Sequence, residues 1–302
     1  MQELRERIEK LKQEKDAVIL AHYYVNDEVQ AIADYVGDSY YLAKVAASLK
    51  CKVICFCGVR FMAESAKIMN PDKTVLLPVE EADCEMAHMV QYEKVKEMRE
   101  KYPDICVVTY INSTAETKTY SDVCVTSANA VKIVSNLEAD KIFFIPDQNL
   151  GAYVKKQVPS KEIYLNDGYC PVHHEVTLED VSRAKKAHPN VKLLAHPECK
   201  PEILQEADYV GSTSGIIDYA TNNKDEEFII ATEFGVAYEL MQKNTEKKFY
   251  PVKDEMVCKD MKLTSLESVY QALETMSPEV IIDDETRKKA LIPLQRMLEL
   301  AQ

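Results

Sequence analysis

The sequence contains no tryptophan and only 7 glycines and 12 prolines in 302 residues. The scarcity of Gly and Pro, with no low-complexity tract, excludes a long disordered region. No apolar run approaches the roughly 20 residues that a membrane-spanning helix needs. The charged, helical stretch "MQELRERIEKLKQEKD" at the N-terminus resembles neither a signal peptide nor a transit peptide. We therefore expect a soluble, cytoplasmic protein that does not bind membranes.

Basic residues are also in short supply, with 37 Lys and Arg against 50 Asp and Glu and a net charge of −13. This balance argues against nucleic acid as a partner, since binding it requires Lys and Arg to replace counterions. Small anionic substrates stay possible, because helix N-termini or a metal can make a pocket locally positive. The apolar fraction of 46% is enough for a substantial core.

Nine cysteines are present, an odd number that does not predict a disulfide framework in a cytoplasmic chain. Free cysteine usually behaves as a small buried hydrophobe. We expect that role for the five that lie in apolar, strand-like runs, which are Cys51, Cys55, Cys57, Cys106 and Cys124. The other four lie in polar turns and need another explanation; they are Cys84, Cys170, Cys199 and Cys258.

Short apolar runs alternate with amphipathic helical stretches, a pattern typical of parallel α/β units. The runs fall into three sets of four. Their first strands read "AVILAH", "VVTYIN" and "VKLLAH", and their fourth strands are predicted to end in cysteine at "ADC", "GYC" and "MVC". We predict three homologous, three-layer α/β domains over residues 17–104, 105–190 and 191–270. A helix over 1–16 and helices over 271–302 should pack outside them.

Equivalent residues keep nearly the same spacing in all three units. Each first strand ends in a polar residue and each second strand in a residue with a hydroxyl, and these two residues are 17, 15 and 17 positions apart in the three units. A cysteine follows the hydroxyl residue by 45, 43 and 45 positions. The three sets are His22, Ser39 and Cys84; Asn112, Ser127 and Cys170; and His196, Thr213 and Cys258. Ligands bind beyond the carboxyl ends of parallel strands. The spacing therefore predicts one pseudo-threefold pocket, although each hydroxyl could also cap a helix.

Three equivalent cysteines without a fourth are an unusual ligand set. Structural zinc sites have four protein ligands, and electron-transfer iron–sulfur clusters take four cysteines. Three thiolates from three domains favour a central [4Fe–4S] cluster, one per chain, with one open iron that acts as a Lewis acid. Zinc bound by three thiolates and inert buried cysteines remain alternatives.

The stretch "GYCPVHHEV" (168–176) looks like a complete metal site, but only Cys170 has counterparts in the other units. His173, one turn later, could point into the pocket, whereas His174 and Glu175 are expected to be solvated or to start a helix. In "HPEC", His196 and Glu198 follow a first strand as His22 and Tyr24 do. Cys199 is expected to pack in the turn, and His88 and His188 to be surface or core residues.

The motifs "LAHYYVNDEVQ", "GVRFMAESAKIMNPDKTVLLP", "YINSTAETK", "VTSANA", "GYCPVH", "HPEC" and "GSTSGI" closely resemble the quinolinate synthase family of bacterial NAD biosynthesis, from about residue 15 to 300. The resemblance implies three α/β domains around a [4Fe–4S] cluster with three cysteine ligands. It implies a transferase that condenses iminoaspartate with dihydroxyacetone phosphate, releasing quinolinate, phosphate and two waters. It also suggests coupling to the aspartate oxidase or dehydrogenase that makes iminoaspartate.

The resemblance assigns roles to residues. It implies that the cluster ligands are Cys84, Cys170 and Cys258. It implies substrate contacts by His22, Ser39, Tyr110, Asn112, Ser127, His196, Glu198 and Thr213, and it places Tyr24 and His173 in the active site. Glu198 is our choice for the general base, with Tyr24 and His196 moving protons nearby. The open iron would turn a hydroxyl into a leaving group.

The chain departs from the family pattern in two places. Many members have Asn where this chain has Tyr23, and the larger side chain could alter access to the pocket. Some members carry a CxxCxxC run at the third ligand, whereas Cys258 stands alone in "CKDMK", so no redox switch is expected there. Three rival functions remain: an aconitase-like hydro-lyase, an electron carrier or iron–sulfur scaffold, and a zinc-stabilised binding module.

Overall fold

The computed structural model describes residues 2–302 and contains three parallel sheets of four strands. The strands of the first sheet are β1 (Ala17–His22), β2 (Tyr35–Gly37), β3 (Val53–Cys57) and β4 (Thr74–Leu76). Those of the second are β5 (Cys106–Tyr110), β6 (Val123–Val125), β7 (Lys141–Ile145) and β8 (Glu162–Leu165). Those of the third are β9 (Lys192–Ala195), β10 (Tyr209–Val210), β11 (Glu227–Ala231) and β12 (Lys248–Pro251). Each sheet has the spatial order second, first, third, fourth, so the predicted repeat of three α/β units is confirmed.

Helices connect and surround the strands. In the first unit they are α1 (Gln2–Lys15), α2 (Asp27–Gln30), α3 (Ser39–Ser48), α4 (Arg60–Met69), a 3-10 helix (Glu85–His88) and α5 (Tyr92–Lys101). In the second they are α6 (Ala115–Thr119), α7 (Ala130–Asn136), α8 (Gln148–Gln157), α9 (Pro171–His174) and α10 (Leu178–Ala187). The third contains α11 (Pro201–Glu206), α12 (Thr213–Asn222) and α13 (Val236–Lys243), and α14 (Leu266–Thr275) and α15 (Asp284–Leu300) follow.

The central strands are buried along their whole length. Every residue of β3 and β5 is buried, and β7 and β11 expose only part of their first residue. A parallel strand covered on both faces needs a continuous apolar run rather than alternation, and "VICFC" and "KIFFI" supply one. Each run pairs in register with its neighbours, as in Ile19 with Cys55 and Val107 with Phe143.

The terminal helices pack outside the sheets. Helix α1 contacts α14, while α15 lies against α6 and β6 of the second unit and α4 of the first. Because α14 begins at Leu266, it crosses the expected boundary at residue 270, and the domain limits stay a prediction. Within residues 2–302, no helix is both long enough and apolar enough to cross a membrane.

One local prediction was wrong, and the alternative role considered for the three hydroxyls is not observed. The cysteines do not end the fourth strands: β4, β8 and β12 stop at residues 76, 165 and 251, and the chain continues through a loop before each cysteine. Nor do the hydroxyls cap their helices. Asp38 and Ser212 are the N-caps of α3 and α12, accepting hydrogen bonds from the backbone N–H groups of Tyr41 and Gly215. Ser39 and Thr213 are the first helical residues, so their hydroxyls stay available to the cavity.

Four of the five cysteines expected to be hydrophobic core residues are buried, in strands β3, β5 and β6. Cys51 is only partly buried, because it precedes β3 rather than belonging to it. Cys199 is fully buried, and its thiol donates to the carbonyl of Ala231 at 3.4 Å. Its expected packing role in the turn is consistent with that contact.

Candidate active site

One cavity lies where the carboxyl ends of the three sheets meet. It encloses about 670 Å³, including the part open to solvent. All thirteen residues predicted from the sequence contribute to its wall: His22, Tyr24, Ser39, Cys84, Tyr110, Asn112, Ser127, Cys170, His173, His196, Glu198, Thr213 and Cys258. Residues from all three units therefore converge on one site, as the pseudo-threefold arrangement predicts.

The histidines after the first strands of units one and three are held in the same way. The backbone N–H of Tyr24 donates to Nδ1 of His22 at 3.2 Å, and that of Glu198 donates to Nδ1 of His196 at 3.3 Å. Since Nδ1 accepts in each ring, the proton of the neutral imidazole belongs on Nε2. Both rings therefore offer an N–H donor on the other side.

Both histidines are buried and stay neutral at ordinary pH. Burial lowers the pKa of His22 to about 3, against the attraction of the Glu198 charge, and smaller effects of His196 and Lys262 act in the same direction as burial. Burial likewise lowers the pKa of His196 to about 4, against the attraction of Glu198. Neutral donors suit carboxylate or phosphate recognition without a net positive charge in the protein.

Glu198 is the centre of a buried hydrogen-bond network. Its Oε1 accepts from the Tyr110 hydroxyl at 2.7 Å, and its Oε2 lies 2.7 Å from Nδ1 of His173. The carbonyl of Glu198 accepts from the side-chain amide of Asn149 at 2.9 Å. Carboxylate and backbone are thus both fixed, although Glu198 lies on an irregular turn after β9.

The pKa of Glu198 reflects two opposing effects. Burial acts to raise it, but electrostatic interaction with the His173 and His196 rings and the hydrogen bonds from His173 and Tyr110 outweigh burial and lower it to about 2. The carboxylate is therefore ionised at neutral pH. By contrast, burial and the Glu198 charge raise the pKa of Tyr110 well above its ordinary value, so its phenol keeps its proton and donates.

A second chain of hydroxyls connects the first unit to the third and the second. The Tyr24 hydroxyl lies 2.7 Å from Oγ1 of Thr213 and 2.8 Å from Oγ1 of Thr232. Thr232 Oγ1 is in turn 2.9 Å from Nε2 of His173. Thr232 thus joins two active-site candidates that lie 149 positions apart in the sequence, a contact that no sequence motif specifies.

Each of the three cysteines in the wall has backbone N–H groups directed at its sulfur. Cys84 is the residue before the 3-10 helix, and its sulfur faces the N–H groups of Met86 and Ala87. Cys170 is the residue before α9, and its sulfur faces the N–H group of His173. Cys258 is placed in the same way by the N–H groups of Met261 and Asp260. Such donors favour thiolates, as iron–sulfur and other thiolate-bound metal groups require.

Burial nevertheless raises the pKa of all three thiols above the ordinary value, to about 11 for Cys258. The neighbouring thiol groups add to the effect at Cys84 and Cys170. A positive metal group would reverse it, because a coordinating thiol loses its proton. The set of three soft sulfur donors therefore fits an iron–sulfur cluster.

One further combination could bind a metal. Ligand atoms of Cys170, His173 and Glu198 lie within 4.8 Å of one another, and Nδ1 of His173 is 3.2 Å from the Cys170 sulfur. The two other potential ligands in the stretch 168–176, His174 and Glu175, do not join this group. His174 stacks on Tyr169 and contacts Asn149, and Glu175 is exposed beside Lys253.

Among residues 2–302, none of those that line the cavity is a lysine or an arginine. In this part of the chain one lysine is fully buried, Lys118, and its ammonium donates to the carbonyls of Ile111 and Ser113 and to the Ser113 hydroxyl. These two residues flank Asn112, whose side-chain oxygen is buried without a partner. Lys118 thus fixes the loop that presents Asn112, a role that no sequence motif indicated.

Two polar residues at the end of β11 were also missed. Thr232 and Glu233 are fully buried, and Glu233 contributes to the cavity wall. The end of the third strand in each unit could have indicated them, since "KIFFIPD" and "EFIIATE" both end in a carboxylate. The equivalent run of unit one continues to Gly58, so the pattern holds in only two units.

The chain is similar to proteins of known activity over nearly its whole length. The family model described as quinolinate synthetase A protein matches residues 6–299. The quinolinate synthase of Fusobacterium nucleatum subsp. nucleatum is 56% identical over 298 residues, covering 99% of both chains. The enzyme of the same name from Caldicellulosiruptor saccharolyticus is 52% identical over 301 residues, covering 100% of this chain and 99% of its own. That of Clostridioides difficile is 50% identical over 300 residues and 99% of each chain.

Proposed function

This chain belongs to the quinolinate synthetase A family and is an enzyme of quinolinate formation, and we propose that its central cavity condenses iminoaspartate with dihydroxyacetone phosphate. Quinolinate, phosphate and two waters are the products, which balances the atoms of the two substrates. The observation that carries this proposal is the convergence of thirteen predicted residues from three units on one cavity. An aspartate oxidase or dehydrogenase is the class of enzyme that would supply the imine.

The proposed cofactor is a [4Fe–4S] cluster held by Cys84, Cys170 and Cys258. It supplies a Lewis acid at an iron without a protein ligand. Support comes from the three sulfur donors, each with backbone N–H groups directed at it. No fourth cysteine contributes to the part of the wall that residues 2–302 form.

Carboxylate and phosphate groups of the substrates would be bound by neutral donors. The hydroxyls of Ser39, Ser127 and Thr213 and the amide of Asn112 come from the three units, and the Nε2–H groups of His22 and His196 complete the set. Ser39 and Thr213 begin helices α3 and α12, so the helix dipoles add partial positive charge at the same places.

Proton transfer is assigned to the network around Glu198. The carboxylate is ionised and can accept a proton from carbon, but a base with a pKa of about 2 is weak. Contacts with His173 and His196 keep that pKa low, so separation of Glu198 from them on substrate binding would strengthen the base. Tyr24 and His196 are the proposed carriers of protons to and from leaving groups.

The first test is metal analysis of anaerobically purified protein, together with EPR of the reduced form. About four iron and four sulfide per chain are expected, with a spectrum that changes when quinolinate is added. Serine variants of Cys84, Cys170 and Cys258 should each lose iron, whereas the control Cys199→Ala should retain it. Zinc without sulfide would instead favour the Cys170–His173–Glu198 group and refute the cluster.

A second test separates binding from chemistry. The Glu198→Gln variant should bind quinolinate and retain iron but form little product from iminoaspartate and dihydroxyacetone phosphate. If the wild-type protein hydrates or dehydrates hydroxyacids and forms no carbon–carbon bond, it is a hydro-lyase instead, and the condensation proposed above is wrong.

A further inference from the structure

Glu233 is a fully buried carboxylate at the end of β11 whose two oxygens have different partners. Oε2 accepts from the backbone N–H of Gly235 at 2.7 Å, and Oε1 accepts from the backbone N–H of Cys258 at 3.2 Å. The ammonium of Lys262 lies 3.6 Å from Oε1. A carboxylate this deeply buried is costly unless it is paired and hydrogen-bonded, so this position requires an explanation.

Of the other two cysteines of the cavity, Cys84 also has a carboxylate at its backbone N–H. In unit one, Oδ1 of Asp83 accepts from the N–H of Cys84 at 2.7 Å. In unit two, Asp147 follows β7 at the position equivalent to Glu233, but its Oδ1 accepts from the backbone N–H groups of Asn149 and Leu150 and its Oδ2 has no hydrogen-bond partner within residues 2–302. Among the third strands, the hydrogen bond from a cysteine N–H to the carboxylate that follows the strand is therefore specific to Glu233 and Cys258.

We propose that Glu233 is a positioning residue that fixes the Cys258 loop, so that the Cys258 sulfur stays at the cluster site. By bonding the N–H of Cys258, the carboxylate holds the peptide while the N–H groups of Met261 and Asp260 face the sulfur. This inference rests on the proposed function in one respect, which is that Cys258 is a cluster ligand.

Unit one reinforces the same loop from the other side. Lys262 also contacts the carbonyl of Val25 at 3.4 Å, and the Asn26 amide donates to the carbonyls of Lys262 and Thr264 at 2.9 and 2.8 Å. Without Glu233, Lys262 would lose its carboxylate partner and the N–H of Cys258 its acceptor. The loop would then be held mainly by its contacts with the first unit.

A carboxylate is needed because two acceptor oxygens serve two backbone donors and a cation. Glutamine has one acceptor oxygen, and its NH₂ group would meet either an N–H donor or the ammonium. There is no room to rearrange near Gly235, where an added Cβ would lie 2.7 Å from Glu233 Oε2 and 2.9 Å from the Tyr24 Cα. Aspartate keeps the charge but is one methylene too short to reach both N–H groups.

The test compares Glu233→Gln and Glu233→Asp with Glu227→Gln, which removes a partly exposed carboxylate from the same strand. Anaerobic holoenzyme is mixed with excess iron chelator, and release of iron is followed with time. Loss of a residue that orients a metal ligand typically weakens binding about 10- to 100-fold, so we expect iron release at least about tenfold faster for both Glu233 variants and unchanged for the control. The EPR spectrum of the reduced cluster should also change in line shape.

The outcomes separate this inference from the proposal on which it rests. Wild-type protein without iron and sulfide would refute the cluster itself. Wild-type protein with a stable cluster, and Glu233 variants that release iron at the wild-type rate with unchanged spectra, would overturn the positioning role alone. If the glutamine variant does not fold, the aspartate variant, which keeps the charge pair with Lys262, decides the question.

Discussion

Replacing Thr232 with valine tests whether the hydroxyl chain between Tyr24 and His173 contributes to catalysis. Valine has nearly the same shape, and Thr232 is fully buried, so no cavity is created. The change removes only the contacts of 2.8 Å to the Tyr24 hydroxyl and 2.9 Å to Nε2 of His173. Tyr24 keeps its contact with Thr213, whereas the Nε2 atom of His173 is left without a partner.

The expected loss follows from the number of bonds. A buried hydrogen bond contributes about 0.5–1.5 kcal/mol net, so two of them amount to about 1–3 kcal/mol of positioning. Since about 1.4 kcal/mol corresponds to a factor of ten in rate, kcat should fall about 5- to 150-fold. Thr232 does not contribute to the cavity wall, so KM should change little.

Steady-state kinetics with both substrates, on protein matched for iron content, measure this split. Thr232→Ser is the control, because it keeps the hydroxyl and loses only a methyl group, and it should retain most of the wild-type kcat. A Thr232→Val variant with wild-type kcat would refute the role of the hydroxyl chain. A variant with raised KM and normal kcat would instead move Thr232 to substrate binding.

Three further changes test other parts of the structure. The pKa values of His22 and His196 are lowered to about 3 and about 4 in the folded protein. Below about pH 6.5 the unfolded chain therefore binds more protons than the folded one, and the free energy of unfolding should fall as the pH drops. A Tm that stays constant down to about pH 4 would contradict this. Gly235→Ala should lower Tm more than Gly58→Ala. The Cβ added at Gly235 would lie 2.9 Å from the backbone Cα of Tyr24, whereas the one added at Gly58 would lie 2.9 Å from the sulfur of Met62, a flexible side chain that can move away. Equal losses of Tm would argue against a tightly packed loop at Gly235. Lys118→Met removes the ammonium that the Ser113 carbonyl accepts from, whereas the Ile111 carbonyl keeps the backbone N–H of Ser113 at 2.8 Å. One buried acceptor without a partner costs about 1–3 kcal/mol, so the urea midpoint should fall and KM should rise. An unchanged midpoint would show that the ammonium is dispensable.

The fold was predictable because the same physical constraint is repeated three times. A parallel strand buried on both faces must be a short apolar run, and "VICFC", "KIFFI" and "EFIIA" are such runs at equivalent places. The first strand of each unit is a similar buried run, and the polar residue at or just after its end lies at the carboxyl edge of the sheet. The positions of His22, Asn112 and His196 after the first strands therefore predicted that they line one cavity, as the structure shows.

The contacts between units were not predictable in this way. The pairing of Tyr24 with Thr213 spans 189 positions, and that of Tyr110 with Glu198 spans 88. Such contacts depend on how whole sheets are oriented, which the period of a single strand does not specify. The cysteines were assigned to strand ends although they lie on loops for a related reason. Lengthening a loop costs little free energy, and a loop has no periodic pattern of apolar residues that would mark where the strand stops.

Symmetry and its exceptions supply different parts of the chemistry. A cluster with three equivalent sulfurs and a set of anion-binding hydroxyls can be built from three copies of one edge, and Cys84, Cys170 and Cys258 have the same kind of N–H environment. The proposed reaction, however, joins two different substrates, so its acid and base must lie on one side only. The network around Glu198 has that property, because unit one has Tyr24 at the position equivalent to Glu198. The departures from the repeat, rather than the repeat itself, are therefore where substitutions should alter turnover without releasing iron.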